Sequence, residues 1–170
     1  MANVKSGIPL STAGTELAWA VETSAGVVPT AAHFIPDVTS MPDMNASPEN
    51  IDVTDLSCKK YKKFIQGLID LSGASSYGAN LTMLLYKEWK KLMSAYETAK
   101  KNGLQTWFYI VTPNLPTVAF PGEPGALGVP GKEINSKNAI NLSITVAGEP
   151  QWLDSSITIE YPQSEETTGG

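Results

Sequence analysis

Several short stretches of the chain alternate apolar and polar residues, which is the pattern of half-buried β-strands. In TELAWAVE, for example, Leu17, Trp19 and Val21 fall on one face. A turn and short extended pieces around Phe34 and Val38 follow. Further strands are predicted in NIDVTDL, FIQGLIDLSG, SSYGANLTM, LQTWFYIVTP, AINLSITVAG and QWLDSSITIEY, with the last two joined in a hairpin at residues 148–150. The pattern therefore predicts a mainly β (α+β) fold, a sandwich or barrel of about seven to nine strands.

One segment, at about residues 83–102, follows a helical rhythm instead. Lys100 and Lys101 in its last turn suit the negative end of the helix dipole, and Asn102-Gly103 is a good C-terminal stop. We expect this single amphipathic helix to pack one apolar stripe against a sheet. The stripe consists of residues at three- and four-residue spacing: Leu85, Trp89, Leu92, Met93 and Tyr96.

Glycine and proline clusters predict the loops between these elements. In FPGEPGALGVPGKE a glycine stands at every third position from Gly122 to Gly131. This is the collagen period, but so few triplets cannot sustain a triple helix, and the role of this predicted loop stays open. We expect a single domain at residues 1–162 that begins with a mobile arm at about residues 1–12, followed by a disordered polar tail at residues 163–170.

The charge balance narrows the classes of function. The 170 residues carry a net charge of −5, and the chain contains lysine but no arginine. Arginine grips phosphate and guanine in a bidentate way, so its absence argues against nucleic-acid binding and against phosphoryl transfer. A single cysteine excludes an internal disulfide and fits a reducing compartment. We see no signal-peptide core and no apolar run of the ~18 residues that a membrane span needs, so we expect no membrane segment.

Residues that carry catalysis or bind metals are scarce. His33 is the only histidine and Cys58 the only cysteine, which excludes a structural zinc site within one chain. An EF-hand-like spacing of oxygen ligands begins at Asp43, but Pro48 stands where that loop needs glycine and Thr54 where it needs glutamate. We therefore expect no metal, no cofactor and no enzymatic activity, although a catalytic triad assembled from distant residues stays open.

The stretch LSCKKYKKFIQ concentrates positive charge around an aromatic residue. Three interpretations are open: a solvated loop or sheet edge, an electrostatic contact surface, and a nucleic-acid site. The third is the weakest, because four lysines release few counterions and the whole chain is acidic. The lysines would lower the pKa of the Cys58 thiol if they lay close to it in space, but the sequence shows no acid–base partner for this thiol. Asp52 and Asp55, which precede the lysines, would lie on opposite faces of a strand. We therefore interpret them as polar residues of a sheet edge or a turn. The candidate contact residues are Asp52, Asp55, Lys59, Lys60, Tyr61, Lys62 and Lys63.

The order of these elements resembles the tail tube (major tail) proteins of long non-contractile tailed bacteriophages. The features that match are the strand GTELAWAVETSAG with a proline-containing turn after it, the strand IDVTDL, the segment KKFIQGLIDLSGASSYGANLT with its IxGLxDxxG-like strand, the amphipathic helix, the strand TWFYIVTPN and the final strands around GEPQW. None of these motifs carries chemistry, and their specificity lies in their order. The loop FPGEPGALGVPG and the short C-terminal tail depart from the family pattern.

The resemblance implies a β-sandwich or barrel flanked by one helix, and subunits that self-assemble into stacked hexameric rings. Genomic DNA would pass through the resulting tube without specific binding during ejection into the host, which agrees with the acidic charge. The implied location is the virion tail, after synthesis in the host cytoplasm. The implied partners are the protein itself, the tape measure protein, the tail terminator, and distal tail or baseplate proteins. The family's loop to the neighbouring ring corresponds by position to the stretch from about Thr39 to Phe64.

An alternative interpretation is a carbohydrate- or protein-binding β-sandwich module of a phage baseplate or adhesin. Such a module would display tryptophan or tyrosine on a concave surface. The burial of the four tryptophans discriminates between the two functions. If Trp19, Trp89, Trp107 and Trp152 all lie in the core or in self-contacts, no sugar-binding platform remains.

Overall fold

The structure is a computed structural model, and it describes residues 7–163. Eleven strands and one α-helix lie in this range. Residues 1–6 of the predicted N-terminal arm and residues 164–170 of the predicted tail lie outside the described residues. In chain order the elements are β1 (Glu16–Val21), β2 (Ala31–Ile35), β3 (Val38–Ser40), β4 (Asn50–Asp52), β5 (Phe64–Gln66), β6 (Ser76–Asn80), α1 (Met83–Lys101), β7 (Thr106–Val111), β8 (Val118–Pro124), β9 (Ala139–Val146), β10 (Gln151–Trp152) and β11 (Thr158–Glu160).

One curled sheet forms the body of the protein. Its strands follow the order β11-β2-β1-β7-β8-β9-β6-β3, and β10 pairs with β8 beside this path. The strand pairs are antiparallel except for β11, which runs parallel to β2. The sheet curls into a half-barrel, so the predicted mainly β fold with one helix is confirmed. The strand count exceeds the expected range because β8 lies partly in a stretch predicted as a loop, and one predicted strand divides into β10 and β11.

The helix α1 occupies the predicted segment and has the predicted C-terminal stop. At its N-terminus the Thr82 hydroxyl accepts a hydrogen bond from the Leu85 amide (3.2 Å). At its C-terminus Gly103 adopts a φ of +71°, a conformation that glycine tolerates and other residues avoid. In the predicted stripe Leu85, Trp89 and Leu92 are buried in the core, Met93 is partly buried against it, and Tyr96 is half-buried.

The strand β1 packs against a hydrophobic core on each of its faces. Leu17 and Trp19 belong to the core on the helix side, whereas Ala18 and Ala20 belong to a second, smaller cluster. The chain between β10 and β11 covers the second cluster, with Leu153 and Ile157 packed against it. Burial on both faces explains why β1 carries alanine rather than polar residues at its alternate positions.

The structure corrects the loop predicted at FPGEPGALGVPGKE, because the first residues of that stretch belong to β8. Prolines in the stretch argued against a strand, since proline cannot donate to a ladder. β8 pairs with β7 as far as Pro121 and with β9 from Gly122 to Pro124, so each proline stands at the end of a ladder. Where the partner changes, a Cβ on Gly122 would lie 2.9 Å from a ring carbon of Phe108 and 3.0 Å from a methyl of Ile144. Glycine is therefore the residue that fits there.

The hairpin predicted at residues 148–150 is wrong, because β10 pairs with β8 and not with β9. The Ala147 amide donates to the Pro121 carbonyl (2.8 Å), so the chain stays beside β8 between β9 and β10. The stretch QWLDSSITIEY, predicted as one strand, divides into β10 and β11, with bends at Asp154 and Ser155 between them. Short polar residues that bond to their own backbone favour such a break.

Candidate interaction surface

Within residues 7–163, the strands β4 and β5 pair only with each other and stand apart from the curled sheet. The ladder continues beyond them in both directions. The Glu49 amide donates to the Leu68 carbonyl (3.0 Å), and the Val53 amide donates to the Lys63 carbonyl (2.9 Å). We name residues 49–68 the projecting hairpin. The chain leaves the ladder after Leu68, so the predicted strand FIQGLIDLSG is a strand only in β5.

The projecting hairpin exposes large apolar side chains that no described residue of its own chain covers. Leu56 is fully exposed and Tyr61 is 83% exposed, although both are bulky and apolar over most of their surface. A two-stranded hairpin is at best marginally stable alone in water, and contiguous exposed apolar surface marks interaction sites. The hairpin is therefore the best candidate for a contact surface. Its exposed large apolar residues are Ile51, Val53, Leu56, Tyr61, Phe64, Ile65 and Leu68.

Charged residues of the predicted contact set pair with one another inside the hairpin. Lys62 Nζ lies 3.7 Å from a carboxylate oxygen of Asp52, and Lys63 Nζ lies 3.0 Å from one of Asp55. Both side chains of each pair are exposed, so these ion pairs contribute little to stability. Lys59 and Lys60 form no ion pair with any residue that the structure describes. The positive charge that the hairpin offers to a partner is therefore concentrated in these two lysines.

Asp55 organises the turn at the tip of the hairpin. Its carboxylate accepts hydrogen bonds from the Ser57 amide (2.9 Å), the Ser57 hydroxyl and Lys63 Nζ. The hydrogen bonds from Ser57 and then Lys63 lower the pKa of Asp55 to about 2. The Cys58 thiol lies 3.7 Å from the same carboxylate. The thiol thus contacts an acceptor in a turn, and the site has the geometry of a loop rather than of a nucleophile and its base.

His33, the other residue singled out for chemistry, links two strands. Its Nδ1 lies 3.4 Å from a carboxylate oxygen of Glu160, and its ring centroid lies 4.7 Å from that of Trp19, with the two ring planes tilted by 34°. Since β2 carries the histidine and β11 the glutamate, the contact joins neighbouring strands at one edge of the sheet. In the part of the chain that the structure describes, no group of three or more histidine, cysteine, aspartate or glutamate residues could hold a metal ion.

The tryptophans divide into three buried residues and one exposed residue. Trp19, Trp89 and Trp107 lie in the core, whereas Trp152 on β10 is 66% exposed. Each buried indole donates a hydrogen bond. Trp107 donates to Glu22 (2.8 Å), Trp19 to Glu88 (3.1 Å) and Trp89 to the carbonyl of Gly125 (2.9 Å). These three residues therefore anchor the core, and only Trp152 is left for a sugar-binding surface.

The two buried carboxylates were missed by the sequence analysis. Glu22 and Glu88 are almost completely buried, and each accepts a hydrogen bond from a tryptophan. A signal was present, because Glu88 falls within the apolar stripe of α1 between Leu85 and Trp89. Glu22 likewise continues the inward-facing positions of Ala18 and Ala20. A carboxylate in an apolar register indicates a buried acceptor that needs a donor.

A second surface feature lies at the base of the projecting hairpin. A cleft of about 690 Å³ opens between residues 67–75 and the turn that leads from β9 to β10. Leu68 and Ile69 supply apolar surface to it, and Asp70 and Glu149 supply negative charge. Among residues 7–163, none of those that line this cleft is basic. We name it the basal cleft.

None of the helices within residues 7–163 is long and apolar enough to cross a membrane. The sequence matches no protein-family model and no curated protein. A solved chain from the tail of an empty GTA (gene transfer agent) particle, computed with helical refinement and C6 symmetry, is similar in structure, with a TM-score of 0.50 and 16% sequence identity. The match covers 72% of this chain and 86% of the GTA chain. The likeness is one of fold.

Proposed function

We propose that the protein is a structural subunit of a phage-like tail, and that it self-assembles into hexameric rings that stack into a tube. The observation that carries this proposal is the projecting hairpin, whose apolar side chains are left exposed by the described part of the single chain. Such a ribbon gains most by packing against another molecule. The fold likeness to a tail chain with C6 symmetry supports copies of the chain as the partner and six as the number in a ring.

The energetics favour an assembly with several contacts per subunit. Burying one large apolar side chain contributes about 1.5–3 kcal/mol, so burying four from the hairpin would contribute roughly 6–12 kcal/mol. Association costs about 4–15 kcal/mol in lost freedom. One hairpin contact is thus comparable with the cost of bringing two copies together. In a ring or a stack, each subunit makes several contacts that together offset the cost of association. In an isolated dimer, a single contact must offset that cost.

The charge of the chain suits a conduit for DNA. A net charge of −5 without arginine removes the phosphate attraction on which non-specific DNA binding depends. We infer that DNA passes through the lumen unbound, and that the protein acts in the virion tail without enzymatic activity. By the family resemblance, its further partners are the tape measure protein, the tail terminator, and distal tail or baseplate proteins.

Electron microscopy and sedimentation velocity of the purified wild-type chain test the proposal. We expect rings or tubes whose abundance rises with protein concentration. The control is a variant in which residues 54–62 are replaced by a two-residue turn, which shortens the hairpin without touching the curled sheet. This variant should keep its melting temperature and remain monomeric. A wild-type chain that stays monomeric across concentration, salt and time would overturn the proposal.

The second candidate function, a carbohydrate- or protein-binding module, depends on Trp152, because it is the tryptophan that the core leaves exposed. A glycan array probed with the wild type and with Trp152→Ala distinguishes the two functions. Glycan binding that disappears in the variant would favour the module. Tube formation that persists in the variant, without glycan binding by either protein, would favour the tail subunit.

A further inference from the structure

Charge is distributed unevenly between the projecting hairpin and the rest of the chain. Residues 49–68 contain three acidic residues and four lysines, a net charge of +1, whereas the whole chain carries −5, so the remaining residues carry −6. The tip, residues 56–61, contains Lys59 and Lys60 and no acidic residue. The hairpin therefore presents a positive tip on an acidic body.

The tip is also apolar, and its apolar residues flank its charges. Leu56 stands before the two lysines, and Tyr61 stands directly after them. Both side chains are among the most exposed apolar groups that the structure describes. A surface that receives this tip needs apolar contact area together with negative charge.

The basal cleft has this combination. Leu68 and Ile69 line it with apolar surface, and both are more than half exposed. Asp70 and Glu149 line the same cleft. A hydrogen bond from the Ser72 amide (2.8 Å) holds the Asp70 carboxylate and lowers its pKa, so this group is charged near neutral pH. The volume of about 690 Å³ accommodates several side chains of the tip.

We propose that the tip of the projecting hairpin of one copy docks into the basal cleft of the next copy, with Lys59 and Lys60 facing Asp70 and Glu149. This contact rests on the proposed tube-forming function and assigns the two surfaces that meet in it. Leu56 and Tyr61 pack against Leu68 and Ile69 in the same contact.

The partner of the tip is a second copy because the tip cannot reach the cleft of its own chain. One wall of the basal cleft is the chain that leaves the hairpin at Gly67 and Leu68. The ladder from Glu49 to Val53 extends the hairpin away from this base by roughly 13 Å, at about 3.3 Å per residue. A contact between different surfaces of identical chains is heterologous, and it generates closed rings or open filaments rather than dimers. Tip-to-cleft docking therefore propagates, as tube formation requires.

Charge reversal tests the pairing directly. The tip variant is Lys59→Glu with Lys60→Glu. The cleft variant is Asp70→Asn with Glu149→Lys, in which the amide oxygen of Asn can still accept the hydrogen bond from Ser72. A matched control, Lys132→Glu with Lys137→Glu, makes the same charge change as the tip variant in the loop before β9. Circular dichroism and thermal melting check that each variant is folded.

We expect the tip variant and the cleft variant each to raise the concentration needed for assembly by about tenfold or more, while the control variant assembles like the wild type. A mixture of the tip and cleft variants should assemble again, because each then offers a tip that complements the cleft of the other. Two outcomes would overturn the pairing but leave the tail function standing. In the first, the tip variant or the cleft variant alone assembles as well as the wild type. In the second, the wild type assembles but the mixture of the two variants does not. A wild type that never assembles overturns the proposed function together with the pairing.

Discussion

Replacing Glu22 with alanine should destabilise the fold strongly, although this glutamate belongs to neither of the proposed contact surfaces. Its carboxylate accepts hydrogen bonds from the Trp107 indole (2.8 Å), the Gln105 amide (3.1 Å) and the Gly26 amide (3.3 Å). Glu22 is 2% exposed, so water cannot replace the carboxylate at this position without a rearrangement. The substitution removes the acceptor and leaves its donors behind.

The size of the effect follows from the burial of those donors. An orphaned buried donor such as the indole of Trp107 costs about 1–3 kcal/mol. The two amides belong to exposed residues, so water recovers part of their loss. Counting hydrogen bonds to a charged acceptor, we expect Glu22→Ala to lower the free energy of unfolding by about 3–5 kcal/mol. Glu22→Gln keeps an acceptor for the indole and should cost about 1–2 kcal/mol.

Urea unfolding followed by tryptophan fluorescence measures these differences. The matched control is Glu123→Ala, which removes an exposed carboxylate 3.6 Å from the Lys100 ammonium group. Because that pair is exposed, the control should lower the free energy of unfolding far less than Glu22→Ala does. A Glu22→Ala variant as stable as the control would refute the argument that the buried carboxylates anchor the tryptophans. Trp107 would then again be a candidate residue for carbohydrate binding.

Three further predictions concern the sheet, the hairpin turn and the hairpin surface. Gly122→Ala should lower the free energy of unfolding by about 1–3 kcal/mol because its Cβ overlaps the core, whereas Gly128→Ala, with open space around it, should change it little; urea unfolding compares them. The pKa of Asp55 is lowered in the fold, so the turn's contribution is complete above pH 3.8 and is lost as the pH falls through about 2; an NMR titration midpoint near 3.8 would contradict this. Leu56→Ser with Tyr61→Ser should leave the melting temperature unchanged but raise the assembly concentration by about tenfold or more, and an unchanged value in light scattering would count against the hairpin as a contact.

The helix and the central strands could be predicted from sequence because their signals are local. The stripe of α1 and its Asn102-Gly103 stop lie within one segment, and β1 alternates along its own length. β8 could not be predicted in this way. Pro121 and Pro124 are acceptable in it only because two different neighbouring strands end their ladders there. That information belongs to the sheet and not to the strand, and the same holds for the separate partners of β10 and β11.

The sequence predicted where the candidate surface lies along the chain, but it did not predict the contacts within that surface. The stretch from Thr39 to Phe64 includes the tip and most of the hairpin. Which lysines are neutralised depends on the hairpin register, since the register brings Lys62 beside Asp52 and Lys63 beside Asp55. The basal cleft had no sequence signal, because the residues that supply its charge come from segments far apart in the chain. The buried carboxylates of Glu22 and Glu88 could have been predicted, because both stand at apolar positions of their elements in the sequence.

The charges of the projecting hairpin decide which contact its apolar surface can make. An exposed apolar ribbon would otherwise pair with any similar ribbon, including the same hairpin of another copy. The ion pairs at Asp52 and Asp55 neutralise the flanks, so the uncompensated charge sits at Lys59 and Lys60. Two tips therefore repel each other, and a symmetric hairpin-to-hairpin dimer is disfavoured. The acidic cleft attracts the tip instead. Burial of apolar surface supplies the affinity, and charge selects the heterologous contact that can continue from one subunit to the next.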